Sequence, residues 1–429
     1  MVVWQTESVM KRTALITALV AASTLGLMGQ GGKDPFSKKN APPIKSGGGA
    51  GAEKPGTLMF TFETWALPPA ESERVVSGGV DGKHLRESLL KLEKEGLSRL
   101  QWTGALPTRS GQRAKLESVD ELWFLEPRPA EAGEMIVKSR NCGDTLEIDP
   151  VISPDESLID LNVSVEDTVF SGFRNAGRTL VPSVMPVAEA GEITLAVAAE
   201  TDEPTLVGTY SQARDGVSES CVVLARGRIV QHLDEVTAAD SGDAGPPTWQ
   251  LVFRVYSTDR TSARDLLHES IDGDRLLEQV KERAGTGSAV MERMMVLKTR
   301  SGQRARVLGQ GGDAFQSPGI TGDKRPAFEK AELGWQVEVD PVVLSGGKFL
   351  SVNYAVRWSE FSAALSGDPA LEDVPPTPIY AKSTVTTSVI VPFGHTVLAG
   401  TLNEPRASGV GDREDDGKTR LVFLEAQVE

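Results

Sequence analysis

The chain has little of the side-chain chemistry on which most catalytic and metal sites depend. Its 429 residues include only two cysteines and four histidines, and no His-x-x-x-His or Cys-x-x-Cys spacing gathers them into a metal-binding cluster. A Gly-x-Ser-x-Gly nucleophile motif is also missing, and Gly309-Gln310-Gly311-Gly312 is not followed by the Lys-Ser/Thr of a phosphate-binding loop. The sequence therefore predicts no catalytic residue, no cofactor site and no metal site, and we expect a protein that is not an enzyme.

Basic residues are outnumbered by acidic ones. The chain has 45 Lys and Arg against 60 Asp and Glu, which gives a net charge of −15 at pH 7. Nucleic acids and anionic lipid surfaces are bound by clustered Lys and Arg that displace counterions. The charge balance therefore argues against nucleic acid as a partner.

Long apolar runs are also missing, apart from one near the N-terminus. Residues 13–28 are apolar, follow Met10-Lys11-Arg12 and end among small residues. The run is shorter than the roughly 20 residues that a spanning helix needs, so the pattern predicts an export signal over residues 1–30, with cleavage favoured over an uncleaved anchor. Residues 31–56 are rich in Gly, Pro and Lys and are predicted to form a disordered tether.

The two cysteines, Cys142 and Cys221, leave two states open. The positions that align with them later in the chain are leucines, Leu333 and Leu421, which favours buried thiols in leucine-like surroundings. An oxidising compartment after export would instead permit one disulfide. The sequence alone cannot decide, because it does not give the distance between the two Cα atoms.

What the chain does have is an internal repeat. The heptapeptide Thr-Arg-Ser-Gly-Gln-Arg-Ala begins at Thr108 and again at Thr299. Its Ser-Gly step predicts a tight turn in a hairpin, because glycine adopts positive φ without steric cost. We therefore expect Gly111 and Gly302 to occupy equivalent positive-φ positions.

The same offset continues on both sides of the heptapeptide and predicts two tandem copies of one fold, residues 57–230 and 248–429, joined by a linker at 231–247. Each copy is expected to keep its own core. Further pairs at this offset include Thr57 and Thr248, Asp81-Gly82 and Asp272-Gly273, Leu85 and Leu276, and Glu147 and Glu338. The structural signature of the repeat consists of Gly111, Gln112, Gly143 and Pro150, with Gly302, Gln303, Gly334 and Pro341.

Hydrophobic periodicity indicates an α+β fold. Leu85, Leu89 and Leu92 have the spacing of one helix face, whereas most other segments alternate between apolar and polar residues as half-buried strands do. Each copy is thus predicted to be a mainly antiparallel sheet with one amphipathic helix. Residues 117–137 and 308–328 differ most between the copies and are predicted to be loops outside the core.

The heptapeptide also duplicates two arginines, giving Arg109 and Arg113 in the first copy and Arg300 and Arg304 in the second. Arginine forms directed hydrogen bonds to carboxylates, so these side chains could bridge to a neighbouring subunit or bind an acidic partner. The alternative is that they are solvated arginines on an exposed turn.

The order of elements in each copy resembles the secretin domain, the ring-forming outer-membrane component of type II and type III secretion systems and of type IV pilus machines. A helix leads to a segment like residues 105–114, and then to a Gly-x-x-Leu-x-Val-x-Pro strand, seen at 143–150 and 334–341. Residues 386–400 resemble a further strand and turn of the family. The resemblance implies an exported protein of the periplasm or outer membrane that associates with itself or with other envelope and secretion proteins.

Two departures from the family pattern bear on function. The Val-Pro-x-Leu-Gly segment expected after Gly400 is absent, and residues 117–137 are too acidic and proline-interrupted for a membrane-entering hairpin. The sequence therefore favours a structural scaffold or accessory component of an envelope assembly. One alternative is an outer-membrane secretin channel, and another is a periplasmic binding protein or hydrolase with a site on residues 117–137 and 308–328.

Overall fold

The computed structural model describes residues 56–78, 81–127, 135–175, 184–214, 217–231, 248–310, 333–344, 347–365, 377–405 and 417–428. These residues belong to a single unit of the chain. The predicted export signal, the tether up to residue 55 and linker residues 232–247 lie outside the described residues. None of the helices in the described ranges is long and apolar enough to span a membrane.

The two halves of the chain have the same order of elements. The first half contains β1 (Gly56–Leu67), α1 (Pro69–Ser77), α2 (Gly82–Lys94), β2 (Arg99–Arg109), β3 (Ala114–Pro127), β4 (Met135–Ile152), β5 (Leu158–Asn175), β6 (Val184–Glu200), β7 (Pro204–Arg214) and β8 (Val217–Gln231). The second half contains β9 (Thr248–Asp259), α3 (Arg260–Glu269), α4 (Gly273–Gly285), β10 (Ala289–Arg300), β11 (Ala305–Gln310), β12 (Gly334–Val343), β13 (Phe349–Leu365), β14 (Thr377–Pro392), β15 (Thr396–Asn403) and β16 (Lys418–Val428).

The strands form three antiparallel sheets, which confirms the predicted α+β class. Each half builds one four-stranded sheet, in the orders β2-β1-β8-β7 and β10-β9-β16-β15. Both halves contribute to one eight-stranded sheet, in the order β11-β12-β13-β14-β3-β4-β5-β6. Pairing of β3 with β14 joins the halves inside this sheet.

The main hydrophobic core is shared between the halves. It contains side chains from all three sheets, including Phe60 and Ile148 of the first half and Phe253 and Val339 of the second. The expectation that each half keeps its own core is therefore wrong. The physical reason is that the two four-stranded sheets pack on one common sheet, so the main core takes apolar residues from both halves. Among the described residues, only a smaller cluster, around Trp65 and Leu89, belongs to the first half alone.

The heptapeptide forms a corner between two sheets and not the predicted hairpin. β2 pairs with β1 in a four-stranded sheet, whereas β3 pairs with β4 and β14 in the eight-stranded sheet. The glycine prediction is confirmed, because φ is +72° at Gly111 and +73° at Gly302. The local sequence specified the turn, but it carried no information on which strands the flanking segments would join.

Each half contains two helices where one was predicted. The expected helix, α2, buries Leu85, Leu89 and Leu92, and its counterpart α4 also buries an apolar face. The additional helices, α1 and α3, are short, and α1 buries only Ser72 and Val75. A stripe of this size gives too few apolar positions for periodicity to reveal a helix.

The repeated Asp-Gly pairs begin α2 and α4. The side chain of Asp81 caps α2 by accepting hydrogen bonds from the amides of Lys83 and His84, and that of Asp272 caps α4 by accepting one from the amide of Arg275. A Cβ on Gly82 would overlap the carbonyl oxygen of Pro204, which opens β7. A Cβ on Gly273 would likewise overlap the carbonyl oxygen of Thr396, the first residue of β15. Each Asp-Gly pair therefore supplies a helix cap and a residue without a side chain where helix and strand meet.

Residues 117–137 are not the predicted loop, because residues 117–127 belong to β3 and residues 135–137 to β4. Leu116, Ser118 and Leu122 alternate on the buried face of β3. Glu117 lies on the other face, where it pairs with Lys115. Alternation thus places Glu117 away from the core, although Asp120 lies on the buried face and is 1% exposed. Of residues 308–328, only 308–310 are described, at the end of β11.

Both cysteines are free and buried, so the open question is decided in favour of two thiols. Cys142 packs in a small cluster with Leu122, Phe170 and Ile379. Cys221 belongs to the main core. Burial raises the pKa of Cys142 to about 12, so its thiol stays protonated at neutral pH.

Candidate assembly interface

Besides the pairing of β3 with β14, the two halves meet where the edge strand β2 lies beside the edge strand β15. The amide of Ala105 donates to Oγ1 of Thr401 at 2.9 Å, and Nδ2 of Asn403 donates to the carbonyl oxygen of Thr103 at 2.9 Å. Side chains on β15 thus satisfy the outer backbone groups of β2 without a backbone ladder. All four residues are almost completely buried.

Helix α3 completes this contact on an apolar face. Leu266 and Leu267 of α3 pack in one cluster with Met59 of β1 and Ala105 of β2. The contact therefore combines apolar burial with satisfied backbone groups, as stable protein–protein interfaces do. We call the contact of β2 with β15 and α3 the internal junction.

A buried ion pair ties the helices of the two halves together. Nη1 of Arg264 on α3 lies 2.7 Å from Oε2 of Glu93 on α2, and the Arg264 side chain is 8% exposed. Its guanidinium group also lies 5.6 Å from the ring centroid of Trp65. Both of these contacts are with the first half, and Nε of Arg264 also pairs with Asp265 of α3 at 2.9 Å.

The signature glycines and prolines shape the corner between two sheets in both halves. The amide of Gly111 donates to the carbonyl oxygen of Pro150 at 2.7 Å, and Gly302 makes the same bond to Pro341 at 2.7 Å. Oγ1 of Thr108 donates to the carbonyl oxygen of Gln112, and the second half repeats this bond between Thr299 and Gln303. Gly143 and Gly334 also have positive φ. These residues hold a turn in place and carry no reactive chemistry.

Three of the four heptapeptide arginines have partners within the chain. Arg113 pairs with Glu147 at 2.9 Å, and Arg304 makes the equivalent pair with Glu338 at 3.2 Å. Nη1 of Arg109 donates to Oγ of Ser351 in the other half at 3.1 Å. Arg300 is exposed and has no hydrogen-bond or ion-pair partner among the described residues.

The strand that corresponds to β2 in the second half is β10, and its outer surface is open. Thr103 and Ala105 of β2 are 1% and 0% exposed, whereas Met294 and Val296, at the same places in β10, are 50% and 44% exposed. Sequence reasoning missed this surface. The signal was present, because Met294, Met295, Val296 and Leu297 are apolar on both faces of a strand, whereas a strand with one solvated face alternates.

The other side of the internal junction also recurs as an open surface. β7 corresponds to β15, and it carries Thr209 and Ser211 where β15 carries Thr401 and Asn403. Thr209 and Ser211 are exposed. Both surfaces of the internal junction are therefore present a second time, uncovered, on β10 of one half and β7 of the other.

Two clefts lie near the internal junction. One, of about 560 Å³, is lined by charged residues that include Arg226, Arg228 and His268. Burial, reinforced by nearby arginines, lowers the pKa of His268 to about 4, so the imidazole is neutral at pH 7. The other, of about 690 Å³, is more apolar and is lined by Phe349 and Phe393. No described residue of 117–137 or 308–328 lines either cleft, and no group of three or more His, Cys, Asp or Glu in the described ranges could hold a metal ion.

Comparisons with known proteins give limited information. No protein-family model and no curated protein matches the chain. Among solved structures, it is similar to the V. cholerae type IV competence pilus secretin PilQ, with 9% identity and a TM-score of 0.24 over 87% of this chain and 61% of that one. It is also similar to the ETEC pilotin–secretin complex AspS–GspD, with 7% identity and a TM-score of 0.21 over 87% of this chain and 50% of that one. The chain thus spans less than two thirds of either structure, and TM-scores this low decide neither its fold nor its function.

Proposed function

We propose that the protein is an exported, structural component of an envelope assembly of the secretion or pilus type. It acts by associating with protein, either with itself or with other envelope components, and not by catalysis. The resemblance of its motifs to the secretin domain supports the setting. The open counterparts of the internal junction support the mode of action.

The exposed apolar strand β10 is the observation that carries this proposal. It is the edge of its sheet, and Val290, Met291, Met294 and Val296 are all exposed on it. An exposed apolar patch on an edge strand favours association. On β10 this patch is formed by Met294 and Val296, and exposed Arg293 and Lys298 flank it. We expect that a protein partner covers β10 in the assembled state.

Cell fractionation combined with light scattering tests the proposal. We expect the protein in the envelope or periplasmic fraction, in particles larger than one chain. Envelope extracts are compared with purified protein over a wide concentration range. A strict monomer in both samples, or a protein confined to the cytoplasm, would contradict the structural role.

An outer-membrane channel is the second candidate, and one observation favours it. Strands β3 to β6 are 14, 18, 18 and 17 residues long, well above the usual five or six, and they pair as successive long hairpins. Residues 117–127 and 135–137 are strand, but their acidic residues still count against a membrane-entering hairpin. Conductance in liposomes tests this candidate, and a protein found wholly in the soluble periplasmic fraction without conductance cannot be a channel.

A further inference from the structure

We infer that the partner of β10 is a second copy of this chain, bound head to tail. In this contact, β7 and α1 of one copy lie against β10 of the next copy. The arrangement repeats the internal junction, in which β15 and α3 lie against β2 of the same chain. The inference rests on the self-association part of the proposed function and specifies its surface and its polarity.

Backbone register shows which groups of β10 correspond to those of β2 in the internal junction. Ala105 lies opposite Thr61 in the β1–β2 pair, and Val296 lies opposite Val252 at the corresponding place in the β9–β10 pair. Both strand pairs also have a register shift at the corresponding place, between Thr64 and Trp65 in the first half and between Met291 and Arg293 in the second. The amide of Val296 therefore corresponds to the amide of Ala105, and the carbonyl group of Met294 corresponds to that of Thr103. The two β2 groups bond to side chains of β15 in the internal junction.

The receiving strand keeps the threonine and has another hydrogen-bonding side chain in place of the asparagine. Thr209 follows a register shift at Gly208 in β7, as Thr401 follows one at Gly400 in β15. A threonine hydroxyl is thus available where Thr401 bonds Ala105. Ser211 replaces Asn403, and serine is also able to donate to a carbonyl oxygen.

The copies differ in ways that make the external contact weaker than the internal junction. α1 carries Glu73 at the position of Arg264, and α4 carries Ala284 at the position of Glu93, so the buried ion pair is not reproduced. Met294 and Val296 instead offer larger apolar side chains than Thr103 and Ala105. Association through this surface should therefore depend on apolar burial and be reversible on dilution.

The two surfaces are different and lie on different halves, so the contact is heterologous. A heterologous contact leaves one unused surface at each end and adds further copies until the chain of molecules closes or stops. Variants with one of the two surfaces blocked should therefore differ from the wild type in the size of the assemblies that they form. A variant blocked at β10 and a variant blocked at β7 each keep one working surface, and together they can form only a dimer.

Sedimentation of the full chain with three variants tests the inference. Val296→Glu blocks β10, Thr209→Glu blocks β7, and Val342→Glu on β12 is the matched control, because Val342 is a valine with the same 44% exposure as Val296. We expect the wild type and the control to gain mass with concentration. Each blocked variant alone should remain a monomer, and an equimolar mixture of the two should give a dimer and nothing larger.

A cysteine pair supplies a direct measurement of the contact. The two native cysteines are buried, so Val296→Cys combined with Thr209→Cys should give a ladder of disulfide-linked chains on mild oxidation, and either substitution alone should give none. If the wild type assembles while Val296→Glu assembles equally well or the ladder is absent, the inference is overturned and the proposed association stands. A wild type that is monomeric at every concentration also overturns the inference. The proposed function is contradicted only when the protein in envelope extracts is a monomer as well.

Discussion

Strands β2 and β10 hold the same place in the two halves, with the same partner register, yet their surroundings are opposite. The middle of β2 is buried under β15 and α3, and its residues there are small, as at Gly104 and Ala105. The corresponding residues of β10, Met295 and Val296, are larger, and Val296 is exposed. Strand pairing is therefore a property of each half, whereas burial depends on what lies next to it.

The difference also shows how the halves specialise. Small residues in β2 allow β15 to approach closely, since a Cβ on Gly104 would crowd the ring of Trp102 and the hydroxyl of Thr401. Larger apolar residues in β10 leave a surface suited to a partner that is not covalently attached. The repeated fold thus provides one permanent junction and one surface for a second contact.

The glycines at the helix starts should give the largest effect on stability. Because Gly82 and Gly273 each contact strand backbone, Gly82→Ala or Gly273→Ala should cost about 3 kcal/mol through overpacking. Chemical denaturation measures this loss. Gly285→Ala is the control, because a Cβ there meets nothing within 4 Å.

The substitutions Gly82→Ala and Gly273→Ala also test whether the two halves are one folding unit. Since the core is shared, either substitution should shift a single unfolding transition of the described fold. Two separate transitions, with only one of them shifted by Gly82→Ala, would contradict the shared core.

Thr401 and Thr209 compare the internal junction with its open counterpart. Thr401→Val leaves the buried amide of Ala105 without its acceptor and should cost about 2 kcal/mol of unfolding free energy. Thr209→Val changes an exposed side chain and should cost less than about 0.5 kcal/mol in the monomer. Equal losses in denaturation of dilute protein would show that the two positions are not related in the way proposed.

The heptapeptide glycines should behave alike in both halves. Gly111→Ala and Gly302→Ala each place a Cβ at a φ near +72°, where it meets no neighbour, so the cost is backbone strain of about 1 kcal/mol. Thermal unfolding of the two variants measures the comparison. A loss at only one of the two positions would separate the roles of the turns.

The smallest effect concerns pH and belongs to the second half alone. The pKa of His268 falls from 6.5 to about 4 on folding, so the unfolded chain binds a proton over this range while the folded chain does not. Stability should therefore decrease as the pH falls from 6.5 towards 4. Burial of His268 in its cleft is only partial and the residue remains exposed to solvent, so solvent screening reduces the effect.

Substitution of the histidine isolates this contribution. His268→Gln should lose less stability than the wild type between pH 6.5 and 4 and should match its pH dependence above pH 7. α1 has Ser77 at this position, so the first half has no counterpart of the effect. A wild type and variant with parallel pH profiles in urea denaturation would refute the assignment.

The sequence predicted those features that depend on local backbone geometry and on periodicity. The turn glycines Gly111 and Gly302, the amphipathic helix α2 and the alternating strands around Leu146 and Val337 were all read correctly. Each has a signal within a few residues, either a φ that only glycine accepts or an apolar spacing of 2 or 3.6. The acidic β3 was missed because its composition hid the alternation.

Tertiary structure alone decided which strands became neighbours. Nothing near Ala105 in the chain indicates that Thr401 covers it, and nothing near β3 indicates that it pairs with β14. Such contacts join residues from opposite halves and depend on the packing of complete sheets, which leaves no local pattern. The sequence repeat predicts two equivalent units. Only the packing of these units determines that the edge strand β2 is buried, whereas the edge strand β10 is open to a partner.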